Sequence, residues 1–424
     1  MYEENIVNQP GMLVESTVSN KETKGKRPSK EIKKKCRKDG PSNDAKTTKK
    51  ETFNFLAFFG KFLGWECKYE WKTNPRHWLT TIDIIFMWYH MVYSQVQHFT
   101  TGTYGKIFEI FACYGISVSC VLKFWWYLKY FREITALHNF SAKIIRQASR
   151  QLAEKLQNLE LLKKRIAQFL GFSAVVSTAV YLFNPVQSVI NRDKGEMVSL
   201  LPYEISFTDQ STLSGYLIAN ACMSIMGVYA VFISLFVVLH FITIILNYSM
   251  QVDIIEVDVK QLDELWGNHK KTTVVERHLF LRNICQKCQD KDNYMSEVKR
   301  IFDRLIFAFF CGAYLSQVLC LYEVEVKNWI PGYGIAYGLF TEMLLYCYFG
   351  SKAVSINERL CYVLTQSNWY TYDMYSQKIF LHLLRSCMNA KELWIGPLAP
   401  LSFFTGIQIV KSIYTYYAFL TEAV

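Results

Sequence analysis

SNWYTYDMYSQKIFLHLLRSCMNAKELWIGPLAPLSFFTGIQIVKSIYTYYAFLTEAV, residues 367–424, is the stretch on which the fold turns. From Trp369 to Met388 apolar residues recur at helical spacing with charges on the other side, which predicts an amphipathic helix. Gly396, Pro397 and Pro400 then interrupt the chain, because glycine ends helices and proline cannot continue an incoming one. Leu401 to Leu420 is about twenty largely apolar residues, the length a helix needs to cross a bilayer. On a helical wheel Leu401, Gln408, Ser412, Thr415, Phe419 and Glu422 share one side of that span. Unpaired polar groups are costly in hydrocarbon. This side therefore faces either neighbouring helices or the water of a pore, and the wheel is satisfied by both.

Within this stretch, Trp369-Tyr370, Phe380-Leu381-His382-Leu383-Leu384-Arg385-Ser386, Leu401-Ser402-Phe403-Phe404 and Ile409-Val410-Lys411-Ser412-Ile413-Tyr414-Thr415-Tyr416-Tyr417 stand in a characteristic order. Together they resemble the C-terminal signature of insect odorant receptors. The resemblance implies an all-α, seven-transmembrane-helix membrane protein with a cytoplasmic N-terminus and an extracellular C-terminus, acting as an odorant-gated non-selective cation channel subunit. It implies a pore along Gln408, Ser412, Thr415, Phe419 and Glu422, with Phe419 near a hydrophobic gate. It also implies a cytoplasmic anchor layer between subunits, for which Trp369, Tyr370 and Leu384 are the candidate contacts. Lys411, costly at mid-span, is expected to point sideways or toward an aqueous vestibule.

Composition agrees with a membrane class. Of 424 residues 51% are hydrophobic and 16% aromatic, yet the chain carries 47 Lys/Arg against 36 Asp/Glu. That mixture suits apolar spans separated by charged loops. Candidate spans are 78–98, 107–131, 166–190, 215–248, 301–325, 333–357 and 397–421, the fourth long enough to project beyond the hydrocarbon. Lys/Arg number 17 in residues 1–77, eight in 132–165, nine in 249–300 and four in 358–396, whereas the opposite loops hold Lys106, Arg192, Lys194 and Lys327. By the positive-inside rule the N-terminus is cytoplasmic and, after seven spans, the C-terminus is extracellular. That orientation argues against a G-protein-coupled receptor, and neither a DRY-type triplet nor Asn-Pro-x-x-Tyr occurs where one would need it.

The chain then divides into a basic cytoplasmic tail and pre-span segment (1–77), spans one to four (78–248, with the ligand-binding outer half), and a charged cytoplasmic helical segment (249–300). Spans five and six (301–357), a cytoplasmic anchor helix (358–396) and the pore-lining seventh span (397–424) follow. Residues 1–50, with 13 Lys/Arg, read as a disordered tail with no signal peptide. The run Lys33-Lys34-Lys35-Cys36-Arg37-Lys38 reads as solvated charge or attraction to an anionic leaflet, not as a nucleic-acid site.

Other motifs carry less. Cys285-x-x-Cys288 lacks a second pair at zinc-site spacing, so incidental or structural cysteine is expected and no metal. The 12 cysteines leave the predicted outer loops empty, which points to buried thiols and not disulfides. Gly332-Tyr333-Gly334 is read as a turn between spans five and six, because no threonine-valine or pore helix precedes it. No catalytic motif or cofactor signature is present.

Volatile ligands need a closed apolar pocket. For that pocket the outer halves of spans 2, 3, 4 and 6 offer Phe108, Phe111, Val180, Tyr181, Asn220, Met223, Tyr337 and Phe340. The resemblance further implies a ligand-tuned subunit, since only about fifty residues separate spans four and five and the end Thr421-Glu422-Ala423-Val424 is not basic. Its partners would be an odorant, the co-receptor in a heterotetramer, permeant cations and lipid, in the plasma membrane of a sensory dendrite. A gustatory receptor shares the inverted plan, although Thr421-Glu422 stands where Gln-Phe would be expected. A transporter would show internal repeats, and a membrane enzyme a reactive constellation; neither is visible.

Overall fold

The computed structural model describes residues 56, 58–65, 74–147, 152–190, 203–209, 212–267, 273–389 and 391–422. The basic tail with its Lys33–Lys38 run, Leu201-Pro202 and the last two residues lie outside them. Eight long elements follow among the described residues from position 74 onward: α1 (Pro75–Thr100), α2 (Tyr104–Gln147), α3 (Ala153–Ile190), α4 (Leu213–Gly267), α5 (Val274–Lys327), α6 (Pro331–Gln366), α7 (Met374–Met388) and α8 (Phe403–Glu422). Their starts are written in the sequence. Asn74 caps α1 with Pro75 behind it, Thr273 and Glu276 form a reciprocal capping box on α5, and Asp373 caps α7, each supplying an acceptor to otherwise orphan N–H groups.

α4 and α5 have 55 and 54 residues, about 80 Å each at 1.5 Å per residue, far more than the roughly 30 Å of hydrocarbon. Residues 249–267 and 274–300 are thus continuations of these two helices. Ion pairs tie the layer together. Asp253 of α4 accepts from Lys155 of α3 and Arg359 of α6, both at 2.9 Å, and Lys287 of α5 donates to Asp258 at 2.6 Å.

Among the described residues α2, α4 and α5 are long and apolar enough to cross a membrane by length and composition alone. α1, α3, α6 and α8, with 26, 38, 36 and 20 residues, are long enough but interrupt their apolar stretches with charges such as Asp83, Glu342 and Lys411. Ile82 and Ile85 of α1 and Phe172 and Val175 of α3 point outward, as suits lipid and not water.

α2 packs most extensively on α5. The helices cross where glycine meets glycine: a Cβ on Gly115 would run into the Gly312 carbonyl and the Ser316 side chain. Ser316 Oγ donates to the Ala112 carbonyl across that crossing. Small residues at a helix crossing are the usual device for close approach without a hydrophobic driving force. Ahead of α1, Trp65 stacks on Tyr127 at 4.5 Å and accepts its hydroxyl at 2.8 Å through the main-chain carbonyl, so the pre-span segment is docked where it is described.

Three expectations change. Trp369 and Tyr370 stand in a 3-10 turn (Trp369–Thr371), and the amphipathic helix begins only after the Asp373 cap. The last helix begins at Phe403, not at 397 or 401. Residues 394–400 form an antiparallel clip instead, β1 (Trp394–Ile395) against β2 (Ala399–Pro400), with Leu401 N donating to Leu393 O at 2.9 Å. Gly396 turns the clip at φ 53°, and a Cβ there would meet the Phe307 ring at 2.6 Å. Leu401 is therefore buried off the helix, and a Cβ on Gly350 of α6 would strike its carbonyl. Gly332-Tyr333-Gly334 is not the turn either. Asn328, at φ 54°, ends α5, and Pro331 opens α6 with the glycines already helical, as proline's fixed φ favours at a helix start.

Candidate ligand cavity, pore face and anchor

A cavity of about 210 Å³ lies between α2, α3, α4 and α6, with Met87 of α1 and Tyr203 of the 203–209 segment completing its walls. It exists because the facing positions are small: Ser173, Ala174 and Ser177 on α3, Gly227 and Ala230 on α4, Gly334 and Gly338 on α6. α3 and α6 approach closely enough for Ser177 Oγ to donate to Gly334 O at 2.7 Å. The space that larger side chains would fill stays open. Buried Tyr203 borders it, its hydroxyl 3.9 Å from Met226 Sδ, and the main-chain N–H of Glu204 donates to Ser94 at 3.2 Å.

The lining includes several hydroxyl side chains and is largely apolar in effect. Ser117, Thr178, Ser224 and Thr341 each donate to the carbonyl four residues back, at 3.1, 2.8, 2.7 and 2.9 Å, so they turn mainly carbon toward the space. One end differs. Glu342 of α6 lines the cavity, and behind it the wholly buried Lys123 of α2 donates to Glu342 Oε1 at 2.5 Å and to Ser234 Oγ of α4 at 2.8 Å.

None of the expected wall residues with a described side chain lies on this cavity. Phe111 faces outward with its ring 5.3 Å from Tyr114. Val180 and Phe340 are half-buried. Asn220 donates to Tyr216 O at 2.9 Å, and Met223 is locked in the core. Tyr337 accepts from the lining residue Ser173 at 3.3 Å, standing just behind the wall. The side chains of Phe108 and Tyr181 lie outside the described residues. Sequence position fixes a residue's depth along its helix but not which neighbour it faces, and here small residues, not bulky ones, make the space. The missed residues had a signal: Lys123 and Glu342 are charges inside apolar spans.

α8 packs on α5 and α6 with Gly406 and Ile413 turned inward. Gln408, Lys411, Thr415, Phe419 and Glu422 are exposed on the other side, Phe419 by 66%. Ser412 departs from that set. It is half-buried and shares a hydrogen bond of 2.8 Å with Tyr314 of α5, so within this chain it is a packing contact. Lys411 is exposed and lies about 40° around the helix from Thr415 and about 60° from Gln408, at the edge of their stripe.

Of the expected anchor contacts, Trp369 is half-buried with its ring parallel to that of Phe380, 6.4 Å away, and Leu384 packs against the core, whereas Tyr370 is 65% exposed. Tyr372 holds the turn by donating to Asp263 at 2.7 Å. Burial and that carboxylate push its hydroxyl well above the usual range, so it remains a donor. Lys291 of α5 donates to Asn357 of α6 at 3.0 Å, and Asn357 in turn donates to Cys387 O of α7 at 2.8 Å. The described cysteines are free thiols, and no group of three or more His, Cys, Asp or Glu among the described residues is placed to hold a metal ion.

Lipid-facing apolar helices, a small-residue cavity inside them and a final helix with one exposed polar face define a multi-pass, all-α membrane protein of the seven-span type. A family model described as 7tm Odorant receptor matches residues 103–414. The chain belongs to the odorant receptor family, and it is not an enzyme. Odorant receptor 22c of Drosophila melanogaster is 22% identical over 306 residues, covering 66% of this chain and 73% of that protein. Two structures of the insect olfactory receptor OR5 from Machilis hrabei, with eugenol and without, share the fold at TM-scores of 0.71 and 0.70. Their identities are 11% and 10%, over 90% of this chain and 98% and 99% of theirs.

Proposed function

We propose that this chain is the ligand-tuned subunit of an odorant-gated, non-selective cation channel, working in a heterotetramer with the olfactory co-receptor in the plasma membrane of sensory dendrites. The observation that carries the reading is the cavity between α2, α3, α4 and α6. It is small and walled mainly by carbon, and apolar surroundings are what bind a volatile molecule. The Machilis receptor of the same fold is in complex with eugenol, which supports a ligand of that scale here. Gly338 faces this space with only Ser177 Oγ near its missing Cβ, at 3.3 Å. Gly338→Leu should fill the cavity and abolish odorant-evoked current at unchanged surface density when the chain is expressed with a co-receptor. Full responses in that variant would place the ligand elsewhere.

The loop charges support a cytoplasmic N-terminus and an extracellular C-terminus. A tag before Met1 should stay hidden from antibody on intact cells, while one after Val424 should be stained. The reverse pattern overturns this orientation. The exposed face of α8 would line the shared pore, and Tyr370, with the outer edges of Trp369 and Leu384, would meet neighbouring subunits.

A further inference from the structure

The Glu342 end of the cavity has more hydrogen-bonding capacity than an apolar ligand would use. Lys123 has three donors; two go to Glu342 and Ser234, and its ammonium lies 4.8 Å from the centre of the Phe309 ring. Lys123 itself does not line the cavity. What faces the space is acceptor: a carboxylate has about four lone-pair sites, and Lys123 and Ser234 do not fill them. Ser119, on the same helix as Lys123 and 5% exposed, also lines the cavity, and its hydroxyl has no partner. Ser119 and Lys123 stand one turn apart on α2, at i and i+4, and so share a helix face, which sets Ser119 on the side of α2 that carries the Lys123–Glu342 pair.

We infer that this end is a hydroxyl-recognition site, and that the cavity takes small alcohols or phenols whose OH donates to Glu342 and accepts from Ser119. The inference rests on the reading of the cavity as the odorant site. Charge selects the head group. The Lys123–Glu342 pair is balanced, so an ammonium ligand would bring an uncompensated charge into a dry site, and a carboxylate ligand would sit against Glu342. Ketones, aldehydes and ethers accept but have no proton for Glu342. Hydrocarbons leave Ser119 unpartnered and strip water from the carboxylate. A site built to hydrogen-bond a hydroxyl discriminates strongly against the analogue that lacks it, because its own polar groups are then left unpaired.

The test is a carbon-matched panel of alcohols, methyl ethers, ketones, amines and alkanes on cells co-expressing a co-receptor, read as half-maximal concentration of evoked current. Alcohols should act at concentrations about tenfold or more below their ethers and ketones. Ser119→Ala, which removes a buried unpartnered hydroxyl and leaves no orphan, should shrink that ratio to about threefold or less. The double variant Lys123→Met/Glu342→Gln keeps the site neutral but adds an amide donor, and should shift preference toward ketones and ethers. If another class is the more potent, if no alcohol activates, or if both variants keep the wild-type ratio, hydroxyl recognition is overturned. Loss of the alcohol preference is separable from loss of the cavity as a ligand site. In the second case Gly338→Leu leaves every response intact, whatever the class ratio.

Discussion

Lys123→Met alone should leave little or no receptor at the cell surface and no odorant-evoked current. The lysine side chain is wholly buried against Glu342, and the helices it joins, α2 to α4 and α6, are the cavity's own walls. Removing one member of a buried ion pair leaves the other charge desolvated and unpaired, at a cost of about 3–5 kcal/mol. That is a large share of the roughly 5–15 kcal/mol by which a folded domain exceeds its unfolded state. Lys123→Met/Glu342→Leu removes both charges and should restore surface expression, since a buried pair replaced by apolar residues of similar size is often neutral or stabilising. Surface biotinylation and the monodisperse fraction in detergent are the readouts. A single variant that matches wild type, or a double variant no better than the single, would show that the pair does not hold the helices together.

Phe419→Ala should raise the current that flows without odorant, and Phe419→Gln should raise it further. Phe419 lies one turn from the end of α8, exposed on the face that carries Gln408, Thr415 and Glu422. A ring of apolar side chains closes a pore by excluding water, and shortening or hydrating the ring lets water return. If Phe419 supplies even about 1.4 kcal/mol of the preference for the closed state, its loss raises the basal open ratio about tenfold. The co-receptor would contribute part of the ring and dilute the effect. Cysteines at 408, 415 and 419 should react with water-soluble thiol reagents in open channels. Cysteine at 413, whose side chain is turned into the bundle, should not. Equal labelling of all four positions, with normal gating in both Phe419 variants, would move the pore off this face.

The helices and their order were legible because period and span length are local properties, and caps such as Asn74 and Thr273 are local chemistry. The interruption before α8 was legible too, since Gly396, Pro397 and Pro400 cannot share a helix, but not that it would close into a paired clip. That outcome depends on Phe307 and Gly350, which lie far away in the chain. The cavity was hidden for a related reason. It is a property of gaps, written in Gly334, Gly338, Ser173 and Ser177 on two helices at once, and single-helix reasoning rewards bulk. Ser412 showed the converse limit. The wheel groups it with Gln408 and Thr415, while Tyr314 on another helix decides what it touches.

The clip of residues 394–400 has a mechanical consequence. It clamps the N-terminal end of α8 to α5 and α6 through Gly396 and Gly350, where no side chain leaves slack. With that end fixed, α8 is a lever of 20 residues, about 30 Å long. A tilt of about 5° about the clip carries its far end through roughly 2.6 Å on that length, while Phe403 and Phe404 scarcely move. Displacement is thus amplified toward Phe419, and the fulcrum sits on the same helix, α6, that forms one wall of the cavity.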